Sequence, residues 1–267
     1  MTGIVGRVES LWRYPVKSLA GEEIQQAFLG FAGIYGDRIY AFANTAAPTG
    51  FPFLTGRNRP EMLLYQSFYR HPELAQTPPN LAESEQLMPG LASVYGTQDQ
   101  LAVDVRTPSG AVLAIDDRTL VAELRGNVAG EISLIRSDRA QVDCRPVSLI
   151  SSQTVTQIRA EVGMTLDQRR FRANINVELS DAAGFGEDAF VGRVLRIGAT
   201  AVIAVTGRDP RCKMITIGPE TAQLSPEIMR GVKNLHDGMA GVYGAVLVEG
   251  IVRAGDAITL LEKGRLG

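Results

Sequence analysis

The chain has 267 residues, 45% of them hydrophobic and 21% charged, with 27 basic against 29 acidic side chains and a formal net charge of −2. That is ordinary globular composition, long enough for one large domain or two moderate ones, and the balance gives no reason to expect nucleic acid or an anionic membrane as partner. No apolar stretch of about eighteen residues occurs, and MTGIVGRVESLWRYPVKS at the start lacks the regions of a signal peptide, so a cytoplasmic protein is expected.

Two cysteines, Cys144 and Cys212, are too few for a disulfide framework or for an iron–sulfur cluster, which takes about four thiolates. The two histidines, His71 and His236, lie far apart in a chain without CxxC, so a His- or Cys-rich zinc site has no ligand set. GxGxxG opening a helix, GxxxxGK[ST] and GxSxG are all missing, which removes support for the usual nucleotide and hydrolase readings.

In chain order, residues 3–14, 23–31 and 38–43 read as strands, β-branched or aromatic and bounded by Pro15, Gly21, Gly36 and Gly50. An N-terminal β-barrel or sheet is expected there. Between 69 and 100 stand Pro72, Pro78, Pro79, Pro89, Gly90 and Gly96, the pattern of a long loop or insertion. Residues 101–106 and 111–115 flank Pro108-Ser109-Gly110 as a hairpin, and 117–125 reads as a helix capped by Asp116 or Asp117. Gly126 and Gly130 mark the expected boundary, giving domains 1–125 and 126–267. The second domain should open with strands at 131–136 and 147–150. A helix follows with Val155, Ile158 and Val162 on one face and Ser151 or Ser152 as cap. Strands are then expected at 173–179, 194–197, 200–206, 242–248 and 257–261, with a short helix over 226–234. The fold class is mainly β with a few helices.

The segment TGRDPRCKM places Cys212 between Arg211 and Lys213, with Arg208 upstream, directly after an apolar strand. Adjacent cations favour the thiolate, the form that attacks electrophiles or ligates metals. Cys144, between Asp143 and Arg145, has less cationic context and reads as a buried structural cysteine. RRFRANINV gathers Arg169, Arg170 and Arg172 ahead of a strand, with Asn174 on the same face as Arg172. Guanidinium forks match phosphate or carboxylate oxygens, although a solvated basic edge is the plainer reading of such a cluster. YPVKSLAGE puts Lys17 and Ser18 in a turn, where an ammonium and a hydroxyl suit a phosphate as well as an ordinary surface turn, and YGDR adds Arg38. Ser151 and Ser152 would present hydroxyls and free N–H groups to an anion, or simply cap their helix.

Taken in series, SLWRYPVKSLAGE, GDR at 36–38, FRANINV at 171–177, FGEDAFVGRVLRIG at 185–198, RCKMITIGPET at 211–221 and GVYGAVLVEGIVRAGDAITL at 241–260 resemble the molybdenum cofactor sulfurase C-terminal (MOSC) family with its N-terminal β-barrel partner. The resemblance implies an N-terminal β-barrel-like domain followed by a MOSC-type β-barrel domain. It also implies an activity like that of the mitochondrial amidoxime-reducing component and its bacterial relatives. That activity is molybdenum-cofactor-dependent oxidoreduction of N-hydroxylated compounds, amidoximes and hydroxylamines, by oxygen-atom transfer, with no need of pyridoxal phosphate. By the same resemblance Cys212 would ligate molybdenum of the Mo-molybdopterin. Lys17, Ser18, Arg38, Arg172 and Asn174 would hold the pterin and its phosphate, with Arg211, Ser151 and Ser152 close by. Asp209 stands in Gly207-Arg208-Asp209-Pro210, where the family's extra cysteine is missing.

The small substrate would be N-hydroxylated and electrons would come from a separate donor protein, without nucleic acid or membrane. Two other readings remain open at this level. One is a sulfur-carrier or cofactor-handling protein with a persulfide on Cys212; the other is a non-catalytic anion-binding module that uses the arginines alone.

Overall fold

The computed structural model describes residues 3–86, 92–180 and 182–262. In chain order its strands are β1 (Gly3–Arg13), β2 (Glu22–Ile24), β3 (Gln26–Gly30), β4 (Gly33–Ile34), β5 (Tyr40–Asn44), β6 (Gln66–Tyr69), β7 (Val103–Arg106) and β8 (Val112–Ala114). Then come β9 (Ile132–Arg136), β10 (Val147–Ser151), β11 (Ile175–Leu179), β12 (Val194–Ile197), β13 (Ala201–Pro210), β14 (Met239–Val248), β15 (Gly250–Arg253) and β16 (Ala257–Leu261). The helices are α1 (Leu81–Gln86), α2 (Arg118–Arg125), α3 (Ser152–Val162) and α4 (Pro226–His236). Among the described residues no helix is long and apolar enough to cross a membrane.

The chain forms two compact units that interleave in sequence. One holds 1–12, 23–34 and 143–267; the other holds 13–22 and 35–142. In the first unit the order β11-β10-β14-β13-β12-β16-β1 closes through pairing of β1 with β11 into a seven-stranded barrel, to which β2 adds. Only β10 and β11 in that ring run parallel. Alternation explains the closure. Leu195 and Ile197 of β12 and Ile203 and Val205 of β13 are buried with Val8 and Leu11 of β1 in one apolar cluster, while Arg196 faces out. Each such side chain contributes roughly 1.5–3 kcal/mol on burial. A second cluster packs α3 and α4 together through Val155, Ile158, Ile228 and Val232, and includes Phe171 and Ile215. It therefore fixes two short 3-10 turns, Gln168–Phe171 and Lys213–Thr216, that carry site residues.

The second unit is built on β5 paired with β9 and on the sheet β6-β7-β8. Tyr40, Phe42, Leu54, Leu101, Leu120 and Leu124 are buried there. Asp117 caps α2, its Oδ1 accepting from Thr119 N at 2.7 Å, and the hairpin expected at Pro108–Gly110 joins β7 to β8.

The compact units cut across chain order. β9, which follows the expected division at 125/126, pairs along its length with β5, from Tyr40↔Arg136 to Asn44↔Ile132, and so lies in the second unit. Likewise β1, β3 and β4 leave the N-terminal segment to join the barrel unit. The loop expected over 69–100 contains α1; Pro89 and Gly90 of that segment lie outside the described residues.

Candidate functional site

Cys212 lies just beyond the end of β13, half-buried, at the head of the Lys213–Thr216 turn. Its neighbour Arg211 is held by two hydrogen bonds and an ion pair. Nε donates to Ala240 O at 2.6 Å, Nη1 donates to Phe171 O at 2.8 Å, and Nη2 forms an ion pair with Asp209 at 2.9 Å, leaving the side chain 7% exposed. Asp209 is 2% exposed and also accepts from Ser148 Oγ at 2.9 Å and from the Tyr243 phenol. Burial, then the charge of Asp209, pushes that phenol well above its ordinary range, so it stays a neutral donor. Strand register brings these groups together, since Ser148 of β10 and Gly207 of β13 both lie opposite Tyr243 of β14. Arg208 pairs with Asp188 at 2.9 Å and donates to His236 O at 3.3 Å. Both flanking guanidiniums thus meet carboxylates that a count of nearby cations leaves out.

The arginine cluster divides in the same way. Arg169 pairs with Asp167 at 2.5 Å and Glu220 at 2.6 Å, and Arg170 donates to Thr216 O at 2.8 Å. Arg172 caps its 3-10 turn in the left-handed region, φ 52°, ahead of β11. Strand alternation therefore does not relate it to Asn174, and the shared face expected from period two is replaced by a turn. Asn174, 1% exposed, spans two backbone segments: Oδ1 accepts from Ser148 N at 3.4 Å and Nδ2 donates to Trp12 O at 3.3 Å.

At the start of α3 the anion is the chain's own. Fully buried Glu187 accepts from Ser151 N at 3.1 Å, Ser151 Oγ at 2.6 Å and Thr154 Oγ1 at 2.8 Å, while Ser151 Oγ also accepts from Thr154 N at 3.1 Å. Capping thus accounts for Ser151; Ser152 Oγ donates to Val177 O at 3.4 Å. Cys144, expected to be buried, is exposed, because it sits in the irregular stretch before β10 where no apolar layer covers it.

Within the second unit, Lys17 and Arg38 meet at Gln141. Lys17 Nζ donates to Gln141 O at 2.7 Å, and Gln141 N donates to Arg38 O at 2.8 Å. Lys17 is 6% exposed, with its ammonium 5.1 and 4.9 Å from the Phe51 and Phe53 ring centres. Arg38 lies 4.6 Å over the Tyr14 ring and pairs with buried Asp37 at 2.5 Å. Ser18 and Arg38 both adopt left-handed backbone, φ 66° and 49°.

Sequence reading missed Asp37, Ser148, Glu187, Tyr243 and the aromatic pair beside Lys17. Of these only Asp37 carried a signal, standing beside Arg38 in GDR.

Comparison with known families places the MOSC N-terminal beta barrel domain on residues 5–118 and the MOSC domain on 136–259. The chain belongs to the MOSC-domain family. No curated protein matches it. Among solved structures, the YuaD protein from Bacillus subtilis is similar at 15% identity and TM-score 0.46, over 97% of this chain and 96% of that one. YiiM from Geobacillus stearothermophilus is similar at 20% identity and TM-score 0.36, over 45% of this chain and 56% of that one. YiiM from Escherichia coli follows at 16% identity and TM-score 0.32, over 45% and 55%. Likenesses this loose do not bear on activity.

MOSC domains are associated in general with binding the molybdenum cofactor. Among the described residues no group of three or more His, Cys, Asp and Glu is placed to hold a metal ion. A metal that arrives with soft dithiolene sulfurs needs only a further soft donor, and the half-buried thiol of Cys212 fits that need. Three of the six described non-glycine residues in left-handed backbone, Ser18, Arg38 and Arg172, belong to the set that the MOSC resemblance assigns to the cofactor. Such conformations cost roughly 1–3 kcal/mol each and cluster where ligands are gripped.

Proposed function

We propose that this MOSC-family chain is a molybdenum-cofactor-dependent reductase of N-hydroxylated compounds, with Cys212 as the protein ligand of the metal. The observation that carries the reading is the placement of Cys212, a half-buried thiol at the end of a barrel strand, in a segment pinned to the turn that holds Arg172. When bound, the cofactor would supply the two-electron chemistry that takes oxygen from an N–O group. Cys212 would hold it as a thiolate. Arg172 would match an anionic phosphate with its fork, and Lys17, Ser18 and Arg38 are cofactor-binding residues by family resemblance. Asn174 would keep the start of β11 in place beneath Arg172. A separate protein would deliver the electrons.

The experiment is molybdenum analysis of the full chain made in a host that synthesises the cofactor, followed by amidoxime reduction with an artificial electron donor. Near-stoichiometric molybdenum, lost in Cys212→Ser together with turnover, is expected. Metal-free protein carrying a persulfide on Cys212 would replace the reductase by a sulfur carrier.

A further inference from the structure

We infer that Asp209 and Arg211 are positioning residues, which clamp Cys212 to Arg172 through the chain's own carbonyl groups and do not themselves touch what Cys212 binds. The inference rests on the reading of Cys212 and Arg172 as parts of one site. Arg211 precedes Cys212, and its Nη1 reaches the carbonyl of Phe171, which precedes Arg172. In the opposite direction Arg170 Nη1 reaches Thr216 O, beyond Cys212. The two segments therefore clasp each other from both sides, each lending a guanidinium and each lending a carbonyl.

A planar guanidinium can serve several acceptors in fixed directions, and an ammonium cannot reproduce that geometry. Arg211 uses it to join three places: the Phe171 carbonyl, the Ala240 carbonyl and the Asp209 carboxylate. The two carbonyls orient the fork and Asp209 compensates its charge at 2.9 Å, which matters because an uncompensated buried charge is costly. Through Ser148 the same carboxylate is tied to Asn174, whose N donates to Ser148 O at 2.9 Å. One buried acid thus sets the frame for Cys212, Arg172 and Asn174. Binding sites work when their groups are held within about 0.5 Å, and that is the service a clamp of this kind performs.

The test reads Cys212 itself, in the full chain prepared from a host lacking the cofactor. Its rate of alkylation by iodoacetamide is followed by peptide mass spectrometry, with exposed Cys144 as internal reference. Compared at a pH high enough to ionise both thiols, so that a changed neighbouring charge does not enter through the thiolate fraction, Asp209→Asn and Arg211→Ala should each raise the Cys212 rate about fivefold or more relative to Cys144, the factor expected when a restrained segment loosens. The double variant should be no faster than the quicker single one, because both remove the same clamp. Arg211→Lys should recover most of the melting temperature, by keeping a charge beside Asp209, without restoring the slow rate; a role in stability alone would recover both together. Should Asp209→Asn not fold, Ser148→Ala weakens the same carboxylate and should move the rate the same way by less. Rates unchanged within about twofold in folded variants, or additive effects in the double variant, overturn the inference.

Failure of the cofactor reading looks different. A molybdenum-free wild type with a non-additive cycle keeps the clamp and removes the reductase, whereas a molybdenum-loaded wild type with unmoved rates does the reverse.

Discussion

Gly241 offers the sharpest test of how this corner of the barrel is built. It sits in β14 with φ +78°, and a Cβ there would lie 2.6 Å from Leu149 O and 3.0 Å from Arg211 Nη2. The pairing of β13 with β14 slips between Arg208↔Val242 and Pro210↔Met239, so β14 carries one extra residue, and this bulge includes Ala240, whose carbonyl receives Arg211 Nε. In Gly241→Ala the left-handed backbone costs about 1–2 kcal/mol. Moving the Leu149 carbonyl, the nearer of the two, and pushing Nη2 away from its ion pair with Asp209 adds about 1.5–3 kcal/mol. The sum is about 2.5–5 kcal/mol, or a fall in melting temperature of roughly 5–20 °C for a chain of this size. The control is Gly163→Ala at the end of α3, where φ is +65° but nothing lies within 4 Å of the added Cβ. Only the backbone term applies there, about 1 kcal/mol. Urea unfolding of both variants decides the matter, and equal losses would show that Gly241 is not needed to make room for the Leu149 carbonyl and Arg211.

Glu187→Ala should cost about 3–5 kcal/mol in urea unfolding, since it strands Ser151 N, Ser151 Oγ and Thr154 Oγ1 within the structure. Glu187→Gln, which keeps the shape, should lose markedly less. Burial works to raise the carboxyl pKa of Asp167, but hydrogen bonds from the Arg169 side chain and backbone outweigh it and hold it below its ordinary value. The unfolded chain therefore binds the proton more readily, so this contribution is present above the ordinary carboxylate pKa of about 3.9 and fades as pH falls through the lowered one. Asp167→Asn should flatten the acid limb of the stability profile, and an unchanged limb would assign it to other carboxylates. Lys17→Met, made at a 6% exposed position between two phenyl rings, should keep the fold while molybdenum content falls severalfold, read by metal analysis alongside melting.

Local signals reproduced well from sequence. Asp117 caps α2 and Ser151 caps α3 because a short polar side chain before an apolar period can satisfy free helix N–H groups without help from elsewhere. The strands followed β-branched runs for the same local reason. What sequence order hid was partnership. The partner of β9 is β5, some ninety residues earlier, and neither strand's composition names the other. Single-residue slips were equally silent. The bulge in β14 follows from the Gly241 backbone, but GVYG reads as strand punctuation unless the opposing register is known.

At the site, charge type was legible and charge destination was not. Arg169, Arg170, Arg208 and Arg211 stood out as cations near a thiol or a strand, yet their charges or donors go to Asp167 and Glu220, to Thr216 O, to Asp188 and to Asp209. Two of these acids, Asp167 and Asp209, stand two residues before the arginines they pair with, but their separation in sequence does not tell that the side chains meet. Glu187 is the clearest loss. Two serines at the α3 terminus read as a place for an external anion, whereas the chain fills it with its own carboxyl group from thirty-odd residues downstream.

The interleaving of the two units leads to a prediction about fragments. A chain of residues 126–267 corresponds to the later domain as sequence order divides it and contains the whole MOSC match at 136–259. It lacks β1, however, which stands between β11 and β16 and closes the barrel through pairs such as Leu11↔Ile175 and Ile4↔Thr259. It also lacks β3 and β4, and with them the buried side chains of Leu29 and Ile34. Val8, Leu11, Leu29 and Ile34 together are worth roughly 6–12 kcal/mol of burial. A domain's whole stability is about 5–15 kcal/mol. The missing strand would in addition leave two facing edges, at β11 and β16, with unpaired backbone groups, the arrangement that drives strands of different molecules together. Fragment 126–267 should therefore be unfolded or aggregated on gel filtration, and adding a peptide of residues 1–34 should recover folded protein measured by amide dispersion. A monomeric 126–267 fragment with cooperative melting and dispersed amide signals would show that the barrel closes without β1.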